Sequence, residues 1–228
     1  MTSTLALLLR RDSDPDAILD DPAAAARHLG PLIGLSTFSL AAWALAQSAL
    51  LSGLPALPGL PGAAEASGAE LALATFAAGS AGLFGAQLAG LPTFYFYTLL
   101  AGLPTHGWRV SVESMRAQAT AGLVLLGVLP VWVAAAEGLR LLAGAAPNDA
   151  QLVAGCVWLF GGALPFITGI FAPFTLLRAM KRLALRQVRG EGRRAPLPTL
   201  LVTAWSLCFT AMAPLGLIRT LDLLLGRG

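Results

Sequence analysis

Apolar residues fall in five long blocks, Gly30–Leu51, Leu71–Leu103, Ala117–Leu142, Ala150–Leu177 and Pro198–Leu225. A helix needs about 20 apolar residues to cross a ~30 Å hydrocarbon layer, and each block has at least that many. The second is too long for one straight crossing, since at about 1.5 Å per residue it would reach roughly 50 Å. Pro92 is expected to divide it, with 71–90 crossing and a bent extension to 103 lying along or beneath the inner interface. The pattern predicts an all-α, polytopic integral membrane protein with five transmembrane helices, spanning about 30–51, 71–90, 117–142, 150–177 and 198–225. The bundle takes up 30–228 and follows a cytoplasmic, interfacial lead over 1–29. The apolar run Met1–Leu9 is short and is followed, not preceded, by Arg10 and Arg11 and then Asp12, Asp14 and Asp16, which is the wrong order for a cleavable leader.

Charge gives these spans a direction. Arg10, Arg11 and Arg27 precede the first span, and Arg109 and Arg116 lie between the second and third. Arg178, Lys181, Arg182, Arg186, Arg189, Arg193 and Arg194 separate the fourth from the fifth. The other side has only Arg140, Arg219 and Arg227. The positive-inside rule therefore predicts a cytoplasmic N-terminus and an external or periplasmic C-terminus in a bacterial cytoplasmic (inner) membrane. The irregular loop GLPALPGLPG, 53–62, with Glu65 and Glu70, falls outside.

Composition agrees. Hydrophobic residues make up 56% of the chain, charged residues 12%, and mean hydropathy is +0.72. A water-soluble fold has about a quarter charged residues to cover its surface. The basic charge gathers at span ends rather than on a polar face, which excludes nucleic acid as a partner. Cys156 and Cys208, each inside an apolar run, form no disulfide framework and are small packing residues.

Few residues suggest chemistry. His28 and His106 have no companions at metal-ligand spacing, and Ser114 and Ser206 lack the glycine elbow of a hydrolase. No catalytic, cofactor or metal site is expected, and the chain is read as non-enzymatic. Ala74, Ala78, Gly82, Ala86 and Gly90 recur every fourth residue, a stripe along which another backbone can approach closely. Packing within the bundle is the favoured reading, self-association the sharper one. Pro92, Pro130, Pro165, Pro173 and Pro214 are kink positions, and three of them (Pro130, Pro165 and Pro214) fall near mid-membrane. They would line a polar cavity only if polar side chains met there, and Gln47, Gln87 and Gln118 lie at different depths. Glu137 with Arg140, and Arg219 with Asp222, are three residues apart at outer span ends. Each is expected to pair on its own helix face, with a cross-pair between the two helices as the alternative. Phe94, Tyr95, Phe96 and Tyr97 suit an aromatic belt at headgroup level. The basic helix LLRAMKRLALRQVR, 176–189, with Arg193 and Arg194 beyond it, is placed to meet anionic headgroups or an acidic partner.

The lead DPDAILDD (14–21), the central LAGLPTFYFYTLLAG (88–102) and the proline of VLLGVLPVW (124–132) resemble a group of small bacterial five-span membrane proteins. That group is similar in plan to the Yip family, whose eukaryotic members act as trafficking adaptors for Rab GTPases. The resemblance covers most of the chain and is one of plan; it transfers neither the trafficking role nor any functional residue. The expected role is a structural or adaptor subunit of a cytoplasmic-membrane assembly, docking through the 178–194 region and the inner loop 104–116. The alternative is a permease-like or accessory subunit of a transporter or exporter.

Overall fold

The computed structural model describes residues 21–52, 54–55, 68–100, 106–142, 147–169, 171–172, 175–176, 178–182 and 204. Among them the chain is helical and without strands. Four helices follow in order: α1, Pro22–Leu51; α2, Gly68–Leu100; α3, Gly107–Leu142; and α4, Pro147–Gly169. All four are long and apolar enough to cross a membrane, which is compatible with a multi-pass membrane protein. The interfacial lead over 1–20, the fifth span, Pro173, Pro214, Arg186, Arg189, Arg193, Arg194, Arg219 and Asp222 lie outside the described residues.

All four helices begin before the spans expected from the sequence. α1 begins at Pro22, not Gly30, because Asp21 caps it. The Asp21 carboxylate accepts from the Ala23 N–H at 3.0 Å, and proline in the first turn needs no donor. α2 runs through Pro92 as one helix to Leu100. α3 starts at Gly107, ten residues before the expected span. At 30, 33 and 36 residues these helices are about 45, 50 and 54 Å long. Each exceeds a ~30 Å hydrocarbon layer.

The helices run up, down, up and down, as their shared clusters show. At one end Leu50 and Leu51 of α1 meet Leu71 of α2, Ala136 of α3, and Val153 and Val157 of α4. In the middle Leu40, Trp43 and Ala44 meet Ala78, Leu83, Leu125 and Leu164. At the other end Ala25 and Leu32 pack on Val112, Met115 and Ala119. There too Phe94 of α2 and Val110, Ala117 and Ala121 of α3 pack on Ala172, Leu176 and Met180, which follow α4. α3 changes character along its length. Residues 109–126 are wholly or partly covered by protein, whereas Gly127, Val128, Val131, Ala134 and Ala135 face outward. Phe38, Leu45, Leu73, Leu88, Leu159 and Phe160 are also exposed, an apolar surface suited to lipid.

In lipid, apolar burial gives little drive for helices to associate, so contact rests on close packing and on hydrogen bonds between helices. A β-carbon on Gly122 of α3 would lie 2.5 Å from Ser39 Oγ and 3.7 Å from Ser36 Cα of α1, so α1 and α3 approach where glycine leaves room. The two serines satisfy their own hydroxyls within α1: Ser36 donates to Leu32 O at 3.0 Å and Ser39 to Ser36 O at 2.8 Å.

Two side-chain hydrogen bonds join α1 to α4. Pro165 has no N–H for the carbonyl four residues back, that of Gly161. The Trp43 indole N–H supplies the missing donor at 2.8 Å. One turn further along α1, the Gln47 amide donates to Val157 O at 2.9 Å. Trp43 is 2% exposed and rests against Gly79 of α2, where a β-carbon would lie 3.0 Å from its ring. Trp43→Phe keeps the ring but leaves the Gly161 carbonyl buried without its donor, so we expect a loss of about 1–3 kcal/mol. Thermal unfolding in detergent, followed by circular dichroism, checks this.

Candidate functional site

The described residues bring charged side chains together inside the protein at one place, the start of α3. His106 shapes that start: its Nδ1 accepts from the Arg109 N–H and its carbonyl from the Val110 N–H, both at 3.2 Å. Arg109, Glu113 and Arg116 then follow at intervals of four and three, which puts them on one helix face. That face turns inward. Arg109 is 2% exposed, and the side chains of Glu113 and Arg116 are 1% and 10% exposed.

Glu113 is the centre of the cluster. Its Oε2 lies 3.4 Å from Arg116 on the same helix. Its Oε1 lies 3.8 Å from Arg182 in the segment after α4. Arg182 is 38% exposed, so the cluster opens to the surface on that side. On the adjacent α2, Gln87 Nε2 donates to Ser114 Oγ at 2.6 Å. Gln118 and Thr98 are buried at the same end. Chain after α4 is thus held against α3 by an ion pair as well as by the apolar contacts of Leu176 and Met180.

Buried charge is tolerated only when paired and hydrogen-bonded. Here the Glu113 carboxylate lies 3.4 and 3.8 Å from the guanidinium groups of Arg116 and Arg182. Both exceed the 2.7–2.9 Å of a strong charge-assisted bond. The arrangement can hold a helix end in place and present positive charge. Arg178 and Lys181, beside Arg182, are exposed.

The opposite end carries a second ion pair. Arg140 Nη1 is 3.0 Å from Glu137 Oε1, and Nη2 donates to Ser52 O at 2.7 Å. Ser52 caps α1, so this cation also serves a carbonyl at the negative end of that helix.

The remaining sequence-predicted residues spread over the molecule. Of the small-residue stripe on α2, Ala78 and Gly82 are buried, Ala74 and Gly90 are half-buried, and the side chain of Ala86 lies outside the described residues. Pro92 and Pro130 lie inside their helices on exposed faces, whereas Pro165 is buried. They do not converge. Phe94 is in the core, 1% exposed, while Phe96 faces out. Cys156 is a half-buried free thiol.

Glu113 is the main residue that sequence reasoning missed, with Trp43 and Gly161. A signal for Glu113 was present, since a carboxylate four residues after one arginine and three before another suits a helix face. No such signal exists for Trp43, because its acceptor is 118 residues away. Compared with protein-family models, with curated proteins and with solved structures, the chain finds no match.

Proposed function

We propose that the chain is a non-enzymatic structural or adaptor subunit of a cytoplasmic-membrane assembly, with the Arg-rich end of its bundle facing the cytoplasm. It docks there through the start of α3 and the basic segment around Arg178, Lys181 and Arg182. The observation that carries this reading is the Glu113–Arg182 contact at 3.8 Å. It joins the two regions into one face, so exposed Arg178 and Lys181 stand on a braced helix rather than on a loose loop. The side on which basic residues gather supports the cytoplasmic orientation. The four long apolar helices are compatible with a multi-pass membrane protein.

The permease-like alternative needs water at mid-membrane. The Trp43–Gly161 bond at 2.8 Å weighs against it, because the carbonyl freed by Pro165 is already satisfied by protein.

The test is purification in mild detergent with identification of co-eluting proteins. The adaptor reading expects a protein in fixed ratio that is lost when Arg178 and Lys181 are both changed to glutamate, with the bundle's unfolding temperature kept. Reversing rim charges of this kind lowers association and changes its salt dependence. A chain that always runs alone, yet moves a solute when reconstituted, would overturn the proposal.

A further inference from the structure

We propose that Arg116 and Arg182 form a binding site for a phosphoryl oxyanion, the group shared by a phospholipid headgroup and free phosphate. The proposal goes beyond the docking role and is independent of it, since no protein partner enters the measurement.

It rests first on the balance of donors and acceptors. A guanidinium has five N–H donors and stays charged in any protein setting. Arg116 is nine-tenths buried, and its side chain makes one bond, to Glu113 Oε2 at 3.4 Å. Arg182 has one loose ion pair, to Glu113 Oε1 at 3.8 Å. Its Nε is buried and without a hydrogen-bond partner among the described residues. Among the described residues these two cations therefore meet in one carboxylate, that of Glu113, with one contact each and with the buried Arg182 Nε lacking an acceptor. Buried, under-satisfied cations are destabilising unless an anion completes them.

The ligand class follows from the geometry of the groups. The planar fork of arginine fits the paired oxygens of phosphate and phosphate esters, and it does so better than lysine's single point of charge. Arg182 is 38% exposed, which opens a route from the surface to the buried pair. Position favours the same class. The helices overrun a ~30 Å layer, and the cluster lies toward the end where Phe96, Leu99, Leu100 and Trp108 are exposed. Such a place lies level with headgroups, where phosphate is abundant. A cation is not the ligand, because it would meet the excess positive charge of Arg116 and Arg182.

The experiment uses the purified full-length chain in detergent with two probes. One is phosphatidylglycerol, counted by native mass spectrometry against phosphatidylcholine as a control. The other is radiolabelled inorganic phosphate in equilibrium dialysis. Binding of at least one probe is expected. Arg182→Gln should weaken it about tenfold, the scale of one charged hydrogen bond. Arg27→Gln, at an exposed residue of α1 at the same end of the bundle, should change it by about twofold or less. Glu113→Gln should leave it unchanged or tighten it, because the competing carboxylate is neutralised. Retention of the lipid alone assigns the headgroup as source, and retention of phosphate alone assigns the free ion. Since Arg116 is buried and its replacement endangers the fold, Arg182→Gln is the deciding variant. The site is overturned if neither probe binds, or if Arg182→Gln binds as the parent does. It is equally overturned if Arg27→Gln weakens binding as much as Arg182→Gln, for then the attraction belongs to the whole basic end of the bundle.

Discussion

Replacing Gly161 with alanine should destabilise the bundle by about 3 kcal/mol or more, the largest effect expected of any single methyl group in the protein. The reason is the absence of space. A β-carbon at Gly161 would overlap the side-chain amide of Gln47. The amide must then leave Val157 O, to which it donates at 2.9 Å, and its displacement strands buried polar atoms. Overpacking contributes about 1–3 kcal/mol, and each polar group left unpaired about as much again. The joint also carries the Trp43 bond to Gly161 O, so separation of α1 from α4 opens both contacts together. Thermal unfolding in detergent gives the magnitude, and a double variant gives the cause. Gln47→Ala makes room for the new methyl group, so Gln47→Ala with Gly161→Ala should be more stable than Gly161→Ala alone. A pair of variants whose effects simply add would refute the steric explanation, since residues in contact are expected to couple.

Glu113→Ala should be nearly as damaging, for an electrostatic reason. It removes the carboxylate facing Arg116 and Arg182 and leaves a buried cation uncompensated. Breaking a buried pair by removing one partner destabilises by about 3–5 kcal/mol. Most of that belongs to Arg116, because Arg182 is 38% exposed and water screens it. Glu113→Leu combined with Arg116→Met should recover most of the loss, as replacing a buried pair by apolar groups of similar volume is often neutral. Arg182 gives a second readout. With its carboxylate gone, protease cleavage after Arg182 should quicken even in the double variant, because the apolar pair restores packing but not the ion pair. Equal cleavage rates in the parent and double variant would show that Glu113 does not hold this segment.

The existence of the four described helices was legible from apolar runs alone, since length and hydropathy settle whether a segment suits a bilayer. Their extents were less so, for a physical reason. A hydropathy reading takes Arg109, Glu113 and Arg116 as a loop because it supposes each helix to be surrounded by lipid. In the folded bundle residues 109–126 of α3 are wholly or partly covered by protein, and the charges of Glu113 and Arg116 answer one another there. The start of α1 was legible by another route, through Asp21 before Pro22 and an alanine run, a capping signal that outranks the more polar Arg27 and His28. Pro92 is the converse case: a strong local breaker that α2 accommodates on an exposed face. The candidate site was half legible. Arg178, Lys181 and Arg182 stood out by charge, but the carboxylate that braces Arg182 is 69 positions earlier and meets it only through the register of α3 against the chain after α4.

The division of α3 into an enclosed half and an outward half bears on the order in which the protein is made. Lipid cannot by itself accommodate the enclosed half, because charges such as Arg109, Glu113 and Arg116 are expensive away from water or a partner. Its cover includes Ala172, Leu176 and Met180, which leave the ribosome some sixty residues after it. A nascent chain that ends before them lacks this part of the shelter for α3. The charged flank of that helix therefore waits on residues synthesised well after it.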